Sequence, residues 1–183
     1  IPATLMESEL FGHEKGSFTG ATRTHDGVVG QAHGGTLFLD EITEMPLETQ
    51  PPLLRFLETR KYFRVGGTQE LSTDVRVVAA TNRAPASAVR ENRLREDLYY
   101  RLAVFPIKLP PLRERGEDVV QLAELFLERL NHRAGSAKRF AAGSLDAARR
   151  HAWPGNVREL KHAVEYAFIL ADDRVALGAV LGL

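Results

Sequence analysis

Residues Gly34-Gly35-Thr36-Leu37-Phe38-Leu39-Asp40-Glu41 form an apolar run that ends abruptly in two adjacent carboxylates. At the C-terminal end of a parallel strand, such groups face the ligand crevice of an open sheet. An Asp there can hold Mg²⁺ through water, and the Glu after it can orient or deprotonate a water attacking a γ-phosphate. A strand followed by a plain polar turn reads the same way, so the context decides. A second run, Val75 to Ala80, leads through Thr81 to Asn82. That amide could sense a terminal phosphate, or the attacking water, from the neighbouring strand end; Asn-Arg is also ordinary turn chemistry.

Arg95 and Arg101 stand at the two ends of Arg95-Glu96-Asp97-Leu98-Tyr99-Tyr100-Arg101. On one helix they are about 600° apart and so lie on different faces. A planar guanidinium fork suits γ-phosphate stabilisation across a subunit interface; a pair of solvated surface charges is the alternative. In Trp153-Pro154-Gly155-Asn156-Val157-Arg158, a Pro-Gly turn launches a helix whose first turn carries Arg158. Arg158 could reach a phosphate held between subdomains, while Trp153 anchors a helix corner.

Residues 7 to 21, ESELFGHEKGSFTGA, follow neither a helical nor a strand period. Gly16, Gly20, Ser17 and Ala21 permit a sharp loop whose tip displays Phe18 beside Thr19. A solvent-facing aromatic there points to partner contact, whereas a Phe folded back into the core is the bland reading. The six histidines show no HExxH spacing and there is no cysteine, so no metal ligand is assigned among them. No G-x-S-x-G elbow supports serine hydrolysis.

The elements that must position these groups change character along the chain. Up to about Leu112, short apolar runs alternate with helical stretches, the pattern of an α/β unit with a mainly parallel sheet. Thr36 to Asp40, Val75 to Ala80 and Val104 to Leu109 read as strands buried on both faces. Tyr62 to Val65 and Gln69 to Ser72 flank Gly66-Gly67, which predicts a tight hairpin turn. Pro51-Pro52 fits only the first turn of a helix, so that helix is predicted to start near Gln50 and run to Thr59. Beyond Gly116 the period is helical, with a stripe of Val119, Leu122, Ala123, Phe126, Leu127 and Leu130 on a helix that Asp118 helps to start. Ser144 is the predicted N-cap of a short helix to His151, and Val157 to Phe168 marks another helix.

Bulk composition bounds the function classes. A chain of 183 residues with 44% hydrophobic and 26% charged residues is an ordinary globular protein. It is long enough to bury roughly 70% of its unfolded surface. Its 24 basic and 24 acidic residues cancel, which argues against DNA binding by this segment. The absence of cysteine is compatible with a reducing cytoplasm. The start, IPATLMESEL, lacks the layout of a signal peptide, and no apolar stretch approaches the ~20 residues of a membrane span. The expectation is a cytoplasmic chain with no membrane contact.

Taken together, the motifs resemble the central AAA+ domain of sigma-54-dependent transcriptional activators, the bacterial enhancer-binding proteins. GSFTGA, Gly16 to Ala21, is similar to that family's sigma-contacting loop, with Ser17 where alanine is usual. GGTLFLDE resembles its Walker B segment, ATN its sensor I, LREDLYYRL its arginine-finger helix, LPPLRER its connection to the lid and WPGNVREL its sensor II. Order and rough spacing match over nearly the whole chain. The resemblance implies an α/β P-loop NTPase-type parallel-sheet core over residues 1–112, followed by a small all-α lid over 113–183. It implies ATP and Mg²⁺ as cofactors, with Asp40 and Glu41 positioning Mg²⁺ and water. Asn82 would couple the γ-phosphate to motion, Arg95 and Arg101 would reach a neighbour's site, and Arg158 would report nucleotide state. Gly16, Ser17, Phe18, Thr19, Gly20 and Ala21 would touch the sigma-54 RNA polymerase holoenzyme. The implied assembly is a homo-oligomer, a hexameric ring in the intact protein, with DNA bound only by a separate C-terminal domain.

Three departures from the family pattern matter. No G-x-x-x-x-G-K-[ST] loop occurs in the 183 residues. In the family that loop follows a first strand lying between the strands assigned here to Val75–Ala80 and Val104–Leu109, so an incomplete sheet with open edges is expected. The chain is therefore expected to be a piece of a longer protein that alone neither binds ATP tightly nor turns it over. Ser17 and Pro51-Pro52 are the other two. A non-catalytic module that keeps the sigma-contacting loop and oligomer surface is the alternative, and the loop disfavours a generic AAA+ unfoldase or helicase loader.

Overall fold

A computed structural model describes residues 3–182 of the chain; Ile1, Pro2 and Leu183, the outermost residues of the two expected domains, lie outside them. The chain divides into two compact units, Ile1–Pro106 and Ile107–Leu183, each with its own hydrophobic core.

In the first unit, helix α1 (Ala3–Phe11) and the single turn α2 (Val28–Gln31) precede strand β1 (Thr36–Leu39). Two 3₁₀ turns, Ile42–Glu44 and Leu47–Thr49, lead into helix α3 (Gln50–Thr59). As predicted, α3 starts at Gln50 and takes both prolines in its first turn, where a missing N–H has no helical partner to lose. It ends where Arg60 adopts a left-handed backbone. Strands β2 (Lys61–Phe63), β3 (Glu70–Ser72) and β4 (Arg76–Ala79) follow, then helices α4 (Pro85–Arg90) and α5 (Glu96–Leu102).

Strands β1 and β4 pair in parallel, Thr36 opposite Arg76 and Leu39 opposite Ala79. Leu37 and Leu39 are buried with Leu53, Phe56, Leu57 and Leu98 in one core. Each such side chain contributes about 1.5–3 kcal/mol when fully buried. The expectation of strands buried on both faces is corrected here. Phe38 is 58% exposed and its partner Val78 is also exposed, because the core elements of this unit pack on the opposite face.

Two further corrections concern pairing. Val104 to Leu109 forms no strand, and Phe105 is 82% exposed. A strand needs a ladder partner for its backbone groups, and none of the described strands pairs with this segment. The turn at Gly66-Gly67 is not a tight two-residue hairpin. β2 and β3 pair from Lys61–Ser72 to Phe63–Glu70, leaving residues 64–69 as a longer loop. Val65 is diverted from β3 to exchange backbone hydrogen bonds with Gly12 and Glu14. Of the two glycines only Gly66 has a positive φ.

The second unit is helical: a 3₁₀ turn at Leu112–Glu114, α6 (Asp118–Ala134), then, after strand β5 (Arg139–Phe140), α7 (Ser144–Arg150) and α8 (Asn156–Leu170). Strand β6 (Arg174–Val175) and α9 (Leu177–Leu181) complete it. The predicted stripe on α6 packs on Leu160, Val164 and Ala167 of α8, and Gly135 ends α6 in the left-handed conformation that favours glycine. A two-residue parallel ladder between β5 and β6 adds to the helical reading. No described helix is long and apolar enough to cross a membrane.

Ser144 is not an N-cap. Gly143 takes that position, and Ser144, 3% exposed, donates to the Val175 carbonyl at 3.0 Å and accepts from the Leu177 N–H at 3.3 Å. Its hydroxyl thereby fastens α7 to the β6–α9 corner. Ser144→Ala leaves the Leu177 N–H without its partner and the Val175 carbonyl with only the Ala141 N–H, at 2.9 Å, and the expected loss is about 1–3 kcal/mol. Urea unfolding followed by the fluorescence of Trp153, the one tryptophan and buried in this same core, measures it; an unchanged midpoint would contradict the role.

Candidate functional site

The parallel register brings the C-terminal ends of β1 and β4 side by side. Glu41 adopts a left-handed backbone, φ 51° and ψ 51°, which is uncommon outside glycine and worth a functional explanation. In that conformation its Oε2 accepts the N–H of Asn82 at 3.1 Å, while Asp40 Oδ1 accepts the Glu41 N–H at 3.0 Å. Further bonds tie the two turns together: the Ile42 N–H donates to Ala80 O at 3.0 Å, Thr43 and Thr81 share a hydroxyl hydrogen bond of 2.9 Å, and Arg83 pairs with Glu44 at 2.8 Å. Asp40, Glu41 and Asn82, predicted as one site, are brought together.

Asp40 is exposed at the strand end. A single hard oxygen donor suits Mg²⁺, which takes one or two carboxylates and completes its shell with waters and substrate phosphates. No cluster of three or more His, Cys, Asp or Glu that could hold a metal ion occurs among the described residues. A concavity of about 340 Å³ lies against Asp40 and Glu41, walled by Met6, Leu10, Val28 and Phe38. A larger one of about 680 Å³, along Phe126, Arg129 and Lys161 of the helical unit, holds none of the predicted site residues. Asp40 and Glu41 make the smaller concavity the candidate site.

The start of the helix that carries the two arginines is set by a residue whose role sequence reasoning missed. Gln50, fully buried, donates from Nε2 to Met45 O at 3.0 Å and to Arg93 O at 2.8 Å, and its Oε1 accepts the Arg95 N–H at 2.8 Å. This amide fixes the entry to α5 against α3. Arg95 is the N-cap of α5 and forks onto Asp97 through Nε at 3.0 Å and Nη2 at 2.7 Å. The Arg95 guanidinium, with the Leu98 N–H, holds the Asp97 carboxyl below the usual carboxylate range, and Asp97 in turn raises Arg95. Arg101, at the other end of α5, donates to Leu57 O at 2.9 Å. Helix α3 thus holds the Arg95 backbone through Gln50 and the Arg101 guanidinium through the Leu57 carbonyl, while the Arg95 guanidinium is held within α5 by Asp97. A polar residue directly before Pro-Pro, at the head of an apolar stretch, was the signal available in the sequence.

The loop Gly16 to Ala21 is closed at its base by an antiparallel bridge, His13 N–H to His25 O at 3.0 Å and His25 N–H to His13 O at 2.9 Å. Arg64 clasps Glu14 on one side, at 2.8 Å, and Asp26 on the other. Its hydrogen bond, with one from Thr24, holds the Glu14 carboxyl below its ordinary value. A carboxyl so lowered stabilises the fold above its unfolded-state value and loses that contribution as pH falls through the folded one. Within the loop, the Gly16 N–H donates to Ala21 O at 2.8 Å and the Ala21 N–H to Phe18 O at 3.0 Å. Phe18 does not point freely into solvent: half-buried, it meets His13 edge-on at 5.0 Å, and Ser8 Oγ lies 2.7 Å from His13 Nδ1. Thr19 is exposed.

In the second unit, Arg158 is exposed in the first turn of α8. Trp153, 1% exposed, donates from Nε1 to Ala148 O at 2.7 Å and holds the corner before that helix. Asn156, also within the motif, accepts the Leu112 N–H through Oδ1 at 2.9 Å.

A parallel sheet presenting Asp-Glu and Asn at adjacent strand ends, followed by a helical unit, defines the AAA+ class of α/β proteins. Within that class the chain belongs to the sigma-54 interaction domain family: that family's model matches residues 1–108 and the AAA+ ATPase lid domain matches residues 113–181. It is 54% identical over 175 residues to the DNA-binding transcriptional regulator NtrC of Azospirillum brasilense, covering 96% of this chain and 36% of that protein. It is 51% identical over 176 residues to the nitrogen fixation protein AnfA of Azotobacter vinelandii, covering 96% and 33%. Among solved structures, NtrX from Brucella abortus in complex with ATP superposes with a TM-score of 0.85 at 36% identity, covering 97% of this chain and 39% of that one. The chain therefore spans little more than a third of the length of these relatives.

Replacing Gln50 by Ala leaves Met45 O, Arg93 O and the Arg95 N–H without their buried partner. At about 1–3 kcal/mol for each unsatisfied group, the first unit is expected to lose several kcal/mol. Thermal unfolding by circular dichroism checks this, and an undiminished melting temperature would remove Gln50 from the account.

Proposed function

We propose that the intact protein is a ring-forming ATPase of a sigma-54-dependent transcription activator, coupling hydrolysis to remodelling of sigma-54 RNA polymerase and promoter opening. The observation that carries this reading is the Glu41–Asn82 link at 3.1 Å across the ends of β1 and β4. It joins a group able to accept a proton to a group able to report on phosphate. Membership of the sigma-54 interaction domain family, and likeness to NtrX in complex with ATP, support it.

In this reading Asp40 would hold Mg²⁺ through water, and the ion would supply positive charge toward the phosphate oxygens. Glu41 orients and deprotonates the attacking water; its left-handed backbone is what turns it toward β4. Asn82 takes part twice, through its backbone N–H to Glu41 and through a side chain free to follow the terminal phosphate. Arg95 and Arg101 act on the site of the neighbouring protomer, where a guanidinium stabilises charge in the transition state. Arg158 reports nucleotide state from the helical unit, and Phe18 and Thr19 contact sigma-54. DNA is bound by a separate C-terminal domain of the longer protein.

Glu41→Gln in the intact ring keeps an acceptor for the Asn82 N–H but cannot take up a proton. The expected result is a loss of turnover of about 10²–10⁴-fold with ring assembly intact. Arg101→Ala is expected to lose about 10³–10⁵-fold in the same phosphate-release assay. Unchanged turnover in either would overturn the reading.

The 183 residues contain no G-x-x-x-x-G-K-[ST] loop to cradle phosphates. This chain on its own is accordingly proposed to be non-catalytic. A nucleotide titration by calorimetry is expected to show no tight binding, and an affinity in the micromolar range would refute that.

A further inference from the structure

The loop Gly16 to Ala21 meets the turn at Gly66 through Ser17, and that contact is chemically unbalanced. A Cβ placed on Gly66 would meet Ser17 Cβ at 2.5 Å and Ser17 Cα at 3.2 Å, so the two backbones approach as closely as glycine allows. Gly67 packs in the same way, with Glu14 Cγ at 3.3 Å from a Cβ placed there. The loop is thus seated on the turn. In the seat, the Ser17 hydroxyl is shielded from solvent and has no hydrogen-bond partner among the described residues. A buried hydroxyl without a partner opposes the state that buries it. Around the seat stand the Phe18–His13 edge contact, the Ser17 N–H donating to Glu14 O at 3.2 Å and, at the base, the Arg64 clasp with the backbone bonds of Val65 to Gly12 and Glu14; none of them engages the Ser17 hydroxyl.

We propose that Ser17 keeps the seated loop shallow in free energy, so that the Phe18-Thr19 tip is released more readily than an alanine at this position would allow. This rests on the reading of the loop as the sigma-54 contact and adds how that contact is regulated. Releasing the loop returns the hydroxyl to water, while the Arg64 clasp and the His13–His25 bridge still define where the loop leaves the fold. Ser17 therefore acts on the loop's population and is a positioning residue, touching no reacting atom. Gly66 is the other half of the device, because its missing side chain permits the seat.

The test is hydrogen exchange, read by mass spectrometry on the intact protein, over peptides covering Glu14 to Thr22 and, as a control, β1 and β4. Ser17→Ala keeps the Cβ contact and removes the hydroxyl. Its loop amides are expected to exchange about tenfold more slowly, the scale of one unsatisfied buried hydroxyl, with β1 and β4 unchanged. Gly66→Ala puts a side chain into the seat and is expected to speed loop exchange. Loop exchange in Ser17→Ala that is unchanged or faster, or slowing spread equally over β1 and β4, would overturn the proposal, whether or not Gly66→Ala folds. Binding to purified sigma-54 is measured on the same proteins. Failure of every one of them to bind, with the loop difference intact, would count against the partner reading while supporting the role of Ser17.

Discussion

The parallel ladder between β1 and β4 is the constraint on which the site depends. Glu41 and Asn82 are separated by 41 positions in the chain, and only the register of this ladder brings them within hydrogen-bond distance. A slip of one residue would turn every side chain of the strand to the other face and exchange Leu37 and Leu39 for Phe38 in the core. Core burial and site geometry are therefore fixed by the same pairing. The Thr43–Thr81 and Arg83–Glu44 contacts beyond the strand ends then hold the two turns together where backbone pairing stops.

Helix α3 extends that order to the arginines. Its N-terminal Gln50 captures the backbone entry to α5, and its Leu57 carbonyl receives Arg101 at the far end of the same helix. The amide of Gln50 is fully paired, the condition under which a buried polar group specifies structure instead of weakening it. Motion of the arginine helix would thus have to break named hydrogen bonds to a helix that also lines the core.

Much of this was legible in the sequence, for reasons that differ by element. The strands at Thr36 and Val75 showed as short apolar runs because Phe38, between the core-facing Leu37 and Leu39, and Val78, beside Val77, are apolar as well, and Pro51-Pro52 placed the start of α3 because proline fits few backbone positions. Family motifs brought out Asp40, Glu41, Asn82 and both arginines. What the sequence hid was tertiary. Ser144 has the letter of a helix cap yet bonds across to Val175, and Gln50 has the letter of a surface residue yet is buried. Gly66-Gly67 has the letters of a tight turn, but its glycines serve a close approach by Ser17 and Glu14. Val104 to Leu109 has the composition of a strand, and composition alone does not supply a ladder partner.

The uncovered face of the β1–β4 pair has a practical corollary for anyone purifying this polypeptide. Parallel strands ordinarily occur with both faces covered, and here Phe38 and Val78 are exposed on paired positions while no strand among the described residues pairs with the outer edge of either β1 or β4. Apolar surface next to an open edge is a template for self-association. Concentrated solutions of the chain should cloud or form soluble aggregates from this patch before its helices melt.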